Sequence, residues 1–262
     1  MSKNPVFALL IVTLFVVFTA IGESQEGLLL WFPFEGSGDV AEDQSGNGND
    51  GTIVDATRVK GKYGKGIQIG KKDQYVEITN ILQPMGTIEF WFKPNWDGSD
   101  GDTYRLFDAN TGSIYYEIGK GKETGGRTET FGFYFEDASD ADFQDWQIPA
   151  TDAIPKAGEW YHIAATWDFE KEKKAHFFIN GEEVGDVAGI GQFPQLNPNP
   201  KIGFNVGTGY MAAANGADGV IDEFAIYGKA LSADEIKRDM EKLFLAVEPS
   251  DKLATMWGRI KR

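Results

Sequence analysis

Apolar residues after position 27 come in short runs, without the broad stripes of amphipathic helices. The series opens with "LLLWFPF" (28–34), "GIQIG" (66–70), "QYVEI" (74–78), "TIEFWFKP" (87–94) and "YRLFDA" (104–109). It continues with "SIYYEI" (113–118), "TFGFYFE" (130–136), "WYHIAATWD" (160–168), "KAHFFING" (174–181), "KIGFNV" (201–206) and "VIDEFAIY" (220–227). Clusters of Gly, Asn, Asp and Pro separate these runs, as turns separate strands. With no helix between them, they predict an all-β fold: an antiparallel two-sheet jelly-roll β-sandwich.

Period-2 alternation divides the faces. In 87–92, Ile88, Phe90 and Phe92 share one side, and Trp91 lies with Thr87 and Glu89 on the other. In 160–167, Tyr161, Ile163, Ala165 and Trp167 oppose Trp160, His162, Ala164 and Thr166. One face of each strand makes the core of a sandwich. The other is expected to present aromatics to a ligand. A single short C-terminal helix follows in "LSADEIKRDMEKLF" (231–244). Ser232 and Glu235 form a capping box, and Ile236, Met240, Leu243 and Phe244 form an apolar stripe that packs on the sandwich edge.

The segments outside this pattern set the boundaries. Residues 1–22 read as an export signal, with Lys3 at the start, an uncharged run from Pro5 to Ile21 and small residues at 20–22. Left uncleaved, the same run is an N-terminal anchor, although it is slightly short of the ~20 residues of a spanning helix. The sandwich is expected over 23–240 and a tail over 241–262, in a secreted, periplasmic or cell-surface protein. Its 262 residues include no cysteine, so the core or a bound metal must hold the exported domain. The formal net charge is −15. That repels nucleic acid and anionic membrane surfaces, so neither is expected as a partner.

Seven pieces occur in a fixed order: "LLLWFPFEGSGDVAEDQSGNGNDGTI", "YGKGIQIG", "YVEI", "GTIEFWFKP", "GEWYHIAATWD", "KAHFFINGEEVG" and "GVIDEFAIYGKALSADEI". In that order they resemble the laminin-G-like (concanavalin A-like) jelly-roll domains of secreted bacterial proteins, over about residues 27–240. The resemblance implies a β-sandwich used mainly for binding, often of carbohydrate, and often with a structural calcium ion. Fold alone does not fix the ligand.

Asp222 is the residue to place first. Alternation in "GVIDEFAIY" puts Val220, Asp222, Phe224 and Ile226 on one face, opposite Glu223, Ala225 and Tyr227. A carboxylate on an apolar face is costly unless it is paired or coordinates a cation, and the nearest downstream base is Lys229. The resemblance sets Asp222 beside the loop "DQSGNGNDG" (43–51), with Asp43 and Asn47 as fellow ligands of a structural Ca²⁺. Calcium takes ~6–8 oxygens and accepts backbone carbonyls, which glycines can turn inward. The alternative is that Asp43 and Asn47 make turn hydrogen bonds while Asp222 accepts loop amides.

Loop aromatics are the candidates for stacking a sugar ring. Trp96 and Tyr104 flank the acidic loop "NWDGSDGDTY" (95–104), which lacks the spacing of an EF-hand. Trp146 lies in "EDASDADFQDWQIPATD" (136–152), expected as an insertion between strands, and Tyr210 in "GTGYMAAANG". Each ring could equally pack under its own loop. His162 and His176 are expected to pack. Glycosidases on this sandwich need two carboxylates across a cleft. Here no E-x-D-x-x-E run occurs, and alternation sets Asp222 and Glu223 on opposite faces. No nucleophile elbow, P-loop or H-E-x-x-H occurs either. No catalytic residue is therefore expected. The reading is a secreted non-catalytic module that binds a glycan or a cell-surface ligand. A structural or adhesion protein that binds another protein is the alternative, and a glycoside hydrolase on the same fold is a third.

Overall fold

The computed structural model describes residues 26–70, 72–109, 116–122, 127–137, 144–150, 155–196, 199–203 and 215–242, with the backbone alone for 122, 127–130, 144–147, 150 and 242. The strands in chain order are β1 (Leu28–Phe32), β2 (Val40–Ala41), β3 (Gly51–Val54), β4 (Thr57–Lys60), β5 (Lys65–Ile69), β6 (Tyr75–Glu77), β7 (Met85–Pro94) and β8 (Tyr104–Asp108). They continue as β9 (Tyr116–Lys122), β10 (Arg127–Asp137), β11 (Gln144–Ala150), β12 (Tyr161–Asp168), β13 (Lys174–Ile179), β14 (Glu182–Ala188), β15 (Lys201–Ile202) and β16 (Gly219–Tyr227). A helix, α1 (Ala233–Lys242), follows.

Two antiparallel sheets form the sandwich. One runs β14-β13-β12-β7-β16-β5-β4, with β1 also paired to β16; the other runs β11-β10-β9-β8-β15-β6-β3-β2. Their inner faces close one aromatic core. Phe224 of β16 stacks between Phe90 at 5.6 Å and Phe107 of the opposite sheet at 6.0 Å. Tyr116 meets Trp167 edge to face across the layers at 5.2 Å. Burying such rings is the main stabilising term for a chain with no cysteine.

The predicted two-sheet sandwich and helix are present, and Ser232 caps α1 as expected. The Ser232 N–H donates to Glu235 Oε2 at 2.8 Å, and the Glu235 N–H donates to Ser232 Oγ at 3.3 Å. Three expectations need correction. Residues 144–150, expected within an insertion, form β11, in register with β10 from Phe131↔Ala150 to Asp137↔Gln144. The second face of β7 and β12 is not open. Trp91, His162 and Ala164 are buried there, and Leu231 and Ile236 beside and within α1 pack over Trp31, Ala164, Phe178, Ala225 and Tyr227.

The third correction concerns β16. Its register against β7 slips between Asp222↔Trp91 and Ala225↔Glu89, and Glu223 has φ of 53°. This bulge inserts an extra residue and breaks the alternation. Ile221, Phe224 and Ile226 face the core, whereas Asp222 pairs with Trp91 on the outer side. The bulge falls where the edge of β16 passes from β5, paired at 219–221, to β1, paired at 224–227.

Candidate functional site

The glycine-rich loop is an ordered turn. Asp43 Oδ1 accepts from the Trp31 N–H at 3.0 Å and the Ser45 N–H at 2.9 Å. Its Oδ2 accepts from Ser45 Oγ at 2.8 Å and the Asn49 N–H at 2.9 Å. Partial burial opposes ionisation, but these donors outweigh it and hold the Asp43 carboxyl below its usual range. Asn47 Nδ2 donates to the carbonyls of Leu28 at 2.9 Å and Leu29 at 3.2 Å, and Asn49 Nδ2 donates to Leu29 at 2.8 Å. Gly46 and Gly48, at φ of 90° and 74°, supply the left-handed steps this path requires. The loop is thus pinned to β1 by its own side chains.

Asp222 is held by another turn. Its Oδ2 accepts from the Tyr63 N–H at 3.0 Å, and its Oδ1 from the Glu223 N–H at 2.9 Å. Glu223 Oε2 accepts from Trp31 Nε1 at 2.7 Å. Both acids are buried, Asp222 completely and Glu223 with 6% of its surface exposed. The bulge makes them neighbours on one side, contrary to the opposite-face expectation. Burial pushes the Asp222 carboxyl up to about 7, against the N–H groups of Tyr63, Glu223 and Lys62 and with help from the Glu35 charge. Burial, then the Asp222 and Glu35 charges, push Glu223 up to about 8 despite the Trp31 hydrogen bond.

The expected ligands Asp43, Asn47 and Asp222 therefore have separate partners, in two different turns. Among the described residues, the one group of three His, Asp or Glu side chains whose ligand atoms lie within 4.8 Å of one another is His176, Glu183 and Asp186, on the β13–β14 hairpin. A bulge at Phe177/Phe178 sets Glu183 opposite Phe178 and leaves Asp186 opposite His176.

The loop aromatics divide. Trp96 and Tyr104 stack on each other at 4.5 Å with an interplanar angle of 10°. Trp96 Nε1 donates to the Ala217 carbonyl at 2.8 Å, and the Tyr104 hydroxyl donates to Asp100 Oδ2. Both rings are buried, so they pack the core and leave no open face for a sugar. Asp100 also pairs with the buried Lys120. Tyr210 and the side chain of Trp146 lie outside the described residues.

Two features escaped the sequence reading. Beneath α1, Glu89 and His162 approach to 3.9 Å, both buried. Burial, with the Asp239 charge, raises Glu89 well above the usual carboxylate range, and burial lowers His162 to about 3. His162 is therefore neutral near pH 7. Among the described residues, Glu89 Oε2, His162 Nδ1 and Trp91 Nε1 have no hydrogen-bond partner. The second feature is an open groove of about 680 Å³ along β4 and the turn at 36–38, lined by Arg58, Lys60 and Lys65 and by no acid. The signal for it lay in "RVKGKYGK" (58–65), which packs one arginine and three lysines into an acidic chain.

Several solved structures share this architecture. Domain 4 of AbnA, an extracellular arabinanase of family GH43 from Geobacillus stearothermophilus in complex with arabinotriose, superposes with a TM-score of 0.58 at 19% identity, over 80% of this chain and 96% of that one. The binding domain of Paraclostridial Mosquitocidal Protein 1 gives 0.60 at 18% identity, and this chain spans 52% of its length. The binding domain of botulinum neurotoxin serotype D gives 0.61 at 11% identity, again with 52% of that chain covered. At such identities the likeness establishes the fold. Comparison with curated proteins gave no significant match. The family model of the concanavalin A-like lectin/glucanases superfamily matches residues 70–237, well over half of the sequence, and the chain belongs to that superfamily.

Proposed function

We propose that this protein is a secreted, non-catalytic module that binds carbohydrate. The observation that carries the reading is the condition of the adjacent acid pair Asp222 and Glu223, whose affinity for protons is raised. Asp222 and Glu223 are sealed under the 61–64 turn and Trp31, with their oxygens engaged by N–H donors. Hydrolysis needs two carboxyls that reach a glycosidic bond from either side of a cleft, and this pair reaches none. The like-folded arabinanase domain holds arabinotriose, which supports a sugar as the ligand. The toxin domains are named as binding domains, which supports recognition as the task and keeps a cell-surface protein as the second class of ligand. Export rests on the sequence pattern of residues 1–22.

A glycan array incubated with the purified chain tests the proposal. Saturable binding to at least one glycan, with no release of reducing sugar, is the expected result. Turnover of the bound glycan would overturn the non-catalytic half, and saturable binding to cell-surface protein with no glycan bound would replace the ligand class.

A further inference from the structure

We propose that the groove beside β4 binds a glycan bearing uronic-acid carboxylates. The proposal rests on the carbohydrate reading above and adds to it a place and a charge.

Unneutralised positive charge is the first argument. Arg58, Lys60, Lys62 and Lys65 fall within eight residues of a chain whose net charge is −15. Among the described residues none of the four pairs with a carboxylate, whereas Arg105, Lys120, Lys201, Lys229, Lys237 and Arg238 each do. Arg58 and Lys65 bond neutral carbonyls instead. Arg58 Nε donates to Phe34 at 2.9 Å, and its Nη1 and Nη2 donate to Gly38 and Val40. Lys65 Nζ donates to Glu35 at 3.1 Å and Gly36 at 3.2 Å. Carbonyls fix the positions of these cations without cancelling their charge. Two acids stand nearby. Glu35 Oε1 accepts the Lys65 N–H at 2.9 Å, and Glu42 lies beside Gly36. Three bases, Arg58, Lys60 and Lys65, line the groove against these two acids, while Lys62 reaches over the Trp91 ring at 4.0 Å.

Lys60 and Lys65 supply the second argument, because they sit directly opposite each other across the β4–β5 hairpin. Like charges in that position destabilise a hairpin. One lysine is enough to blunt an edge strand against aggregation. A second one facing it is accounted for by an anion that sits between them.

Arg58 points to a carboxylate. Its guanidinium carries five N–H donors, and three are engaged. One remains on each η nitrogen, and that spacing suits two-point contact with a carboxylate. The groove, at about 680 Å³, lies within the ~300–1,000 Å³ of small-ligand sites. The overall negative charge does not forbid this, because salt screens it beyond ~8 Å at physiological ionic strength.

The test is isothermal titration of the full chain with three polymers: polygalacturonate, sulfated dextran and neutral arabinan. Polygalacturonate binding is expected, at least about tenfold weaker in 0.5 M salt than in 0.05 M. It is also expected to weaken at least about tenfold in Lys60→Glu. That variant creates an opposite-charge pair with Lys65; Arg58→Gln is the second variant, and the melting temperature of each is measured alongside to separate lost binding from lost folding. Polygalacturonate affinity unchanged in both variants overturns the proposal. Preference for sulfated dextran overturns the carboxylate assignment. Arabinan bound alone, unaffected by Lys60→Glu, overturns the groove and leaves the carbohydrate reading standing. No binding to any of the three, with a glycan bound on the array, overturns the groove likewise; an array that is also blank removes both.

Discussion

Replacing Glu223 by Gln should stabilise the protein, increasingly as pH rises from about 4.5 to 8. The wild-type carboxyl is displaced from 4.5 to about 8, first by burial and then by Asp222 and Glu35. A carboxyl raised in the folded state is protonated there while the unfolded chain has already lost its proton. Between about pH 4.5 and 8 the folded state therefore binds more protons, and stability falls as pH rises through that window. At about 1.4 kcal/mol per pH unit of displacement, the full penalty above pH 8 is on the order of 5 kcal/mol. Local relaxation around the ionised group reduces the expectation to about 2 kcal/mol. Glutamine keeps an acceptor for Trp31 Nε1 and carries no charge at any pH.

Thermal melts of both proteins at pH 5, 7 and 9 read the difference. At pH 5, close to the unfolded carboxyl's own value, most of the penalty is absent, and the two melting temperatures should lie close together. At pH 9 the variant should melt about 4–8 °C higher, at roughly 2–4 °C per kcal/mol for a domain of this size. Taking the difference between the proteins removes the other titrations, including His162, which costs stability as pH falls below the ordinary imidazole value. Melting curves that stay parallel from pH 5 to 9 would refute the reasoning. They would mean that Glu223 ionises freely and that the 61–64 turn does not seal it.

Asp43→Ala removes the acceptor for Trp31, Ser45 and Asn49 and should cost about 2–4 kcal/mol in urea unfolding. A loss under ~0.5 kcal/mol would show that the turn does not depend on it. Melting temperatures in EDTA and in millimolar calcium test the ion clamp expected across Asp43, Asn47 and Asp222: with those donors on the carboxylate they should coincide, and a clear rise with calcium would establish the clamp. Trp96→Ala should cost about 3–5 kcal/mol of stability and leave glycan affinity intact in the folded fraction, whereas lost affinity at an unchanged melting temperature would make the ring a ligand contact. In Gly86→Ala the new Cβ would lie 2.5 Å from the Trp167 ring and 3.0 Å from the Tyr227 carbonyl, so melts should show a loss of about 1–3 kcal/mol, and a neutral result would mean that β12 and β16, on either side of β7, give way easily.

The strands that were legible in the sequence are those with one face in the core. β7 and β12 declared themselves through Ile88, Phe90 and Phe92 against Ile163, Ala165 and Trp167, all buried. β4, β11 and β14 carry no such run. Their pairing is set by neighbours in the sheet, which a local pattern does not contain. The capping box of α1 was legible because it is a contact between residues 232 and 235. Trp96 and Tyr104 misled because acids surround them in sequence, while the structure folds the acids outward and stacks the two rings inward.

Asp222 shows how far one bulge can move a functional reading. Strict alternation puts it on the core face, where only a cation would make it tolerable. One extra residue at Glu223 turns it outward, where the N–H groups of Tyr63 and Glu223 receive it. The turn that supplies the Tyr63 donor belongs to the same β4–β5 hairpin whose Lys60 and Lys65 line the groove. On one side the hairpin gives its backbone N–H groups to a buried carboxyl pair, and on the other it offers uncancelled cations to solvent. Sealing the acids fixes the turn, and a fixed turn holds Lys60 and Lys65 in place for a ligand at less cost in entropy. If the two sides are coupled in this way, Glu223→Gln, which removes the charge that strains the seal, should tighten binding of polygalacturonate at pH 9 and leave it unchanged at pH 5. Titrations at those two pH values decide it, and equal affinity ratios at both would show that the seal and the groove act independently.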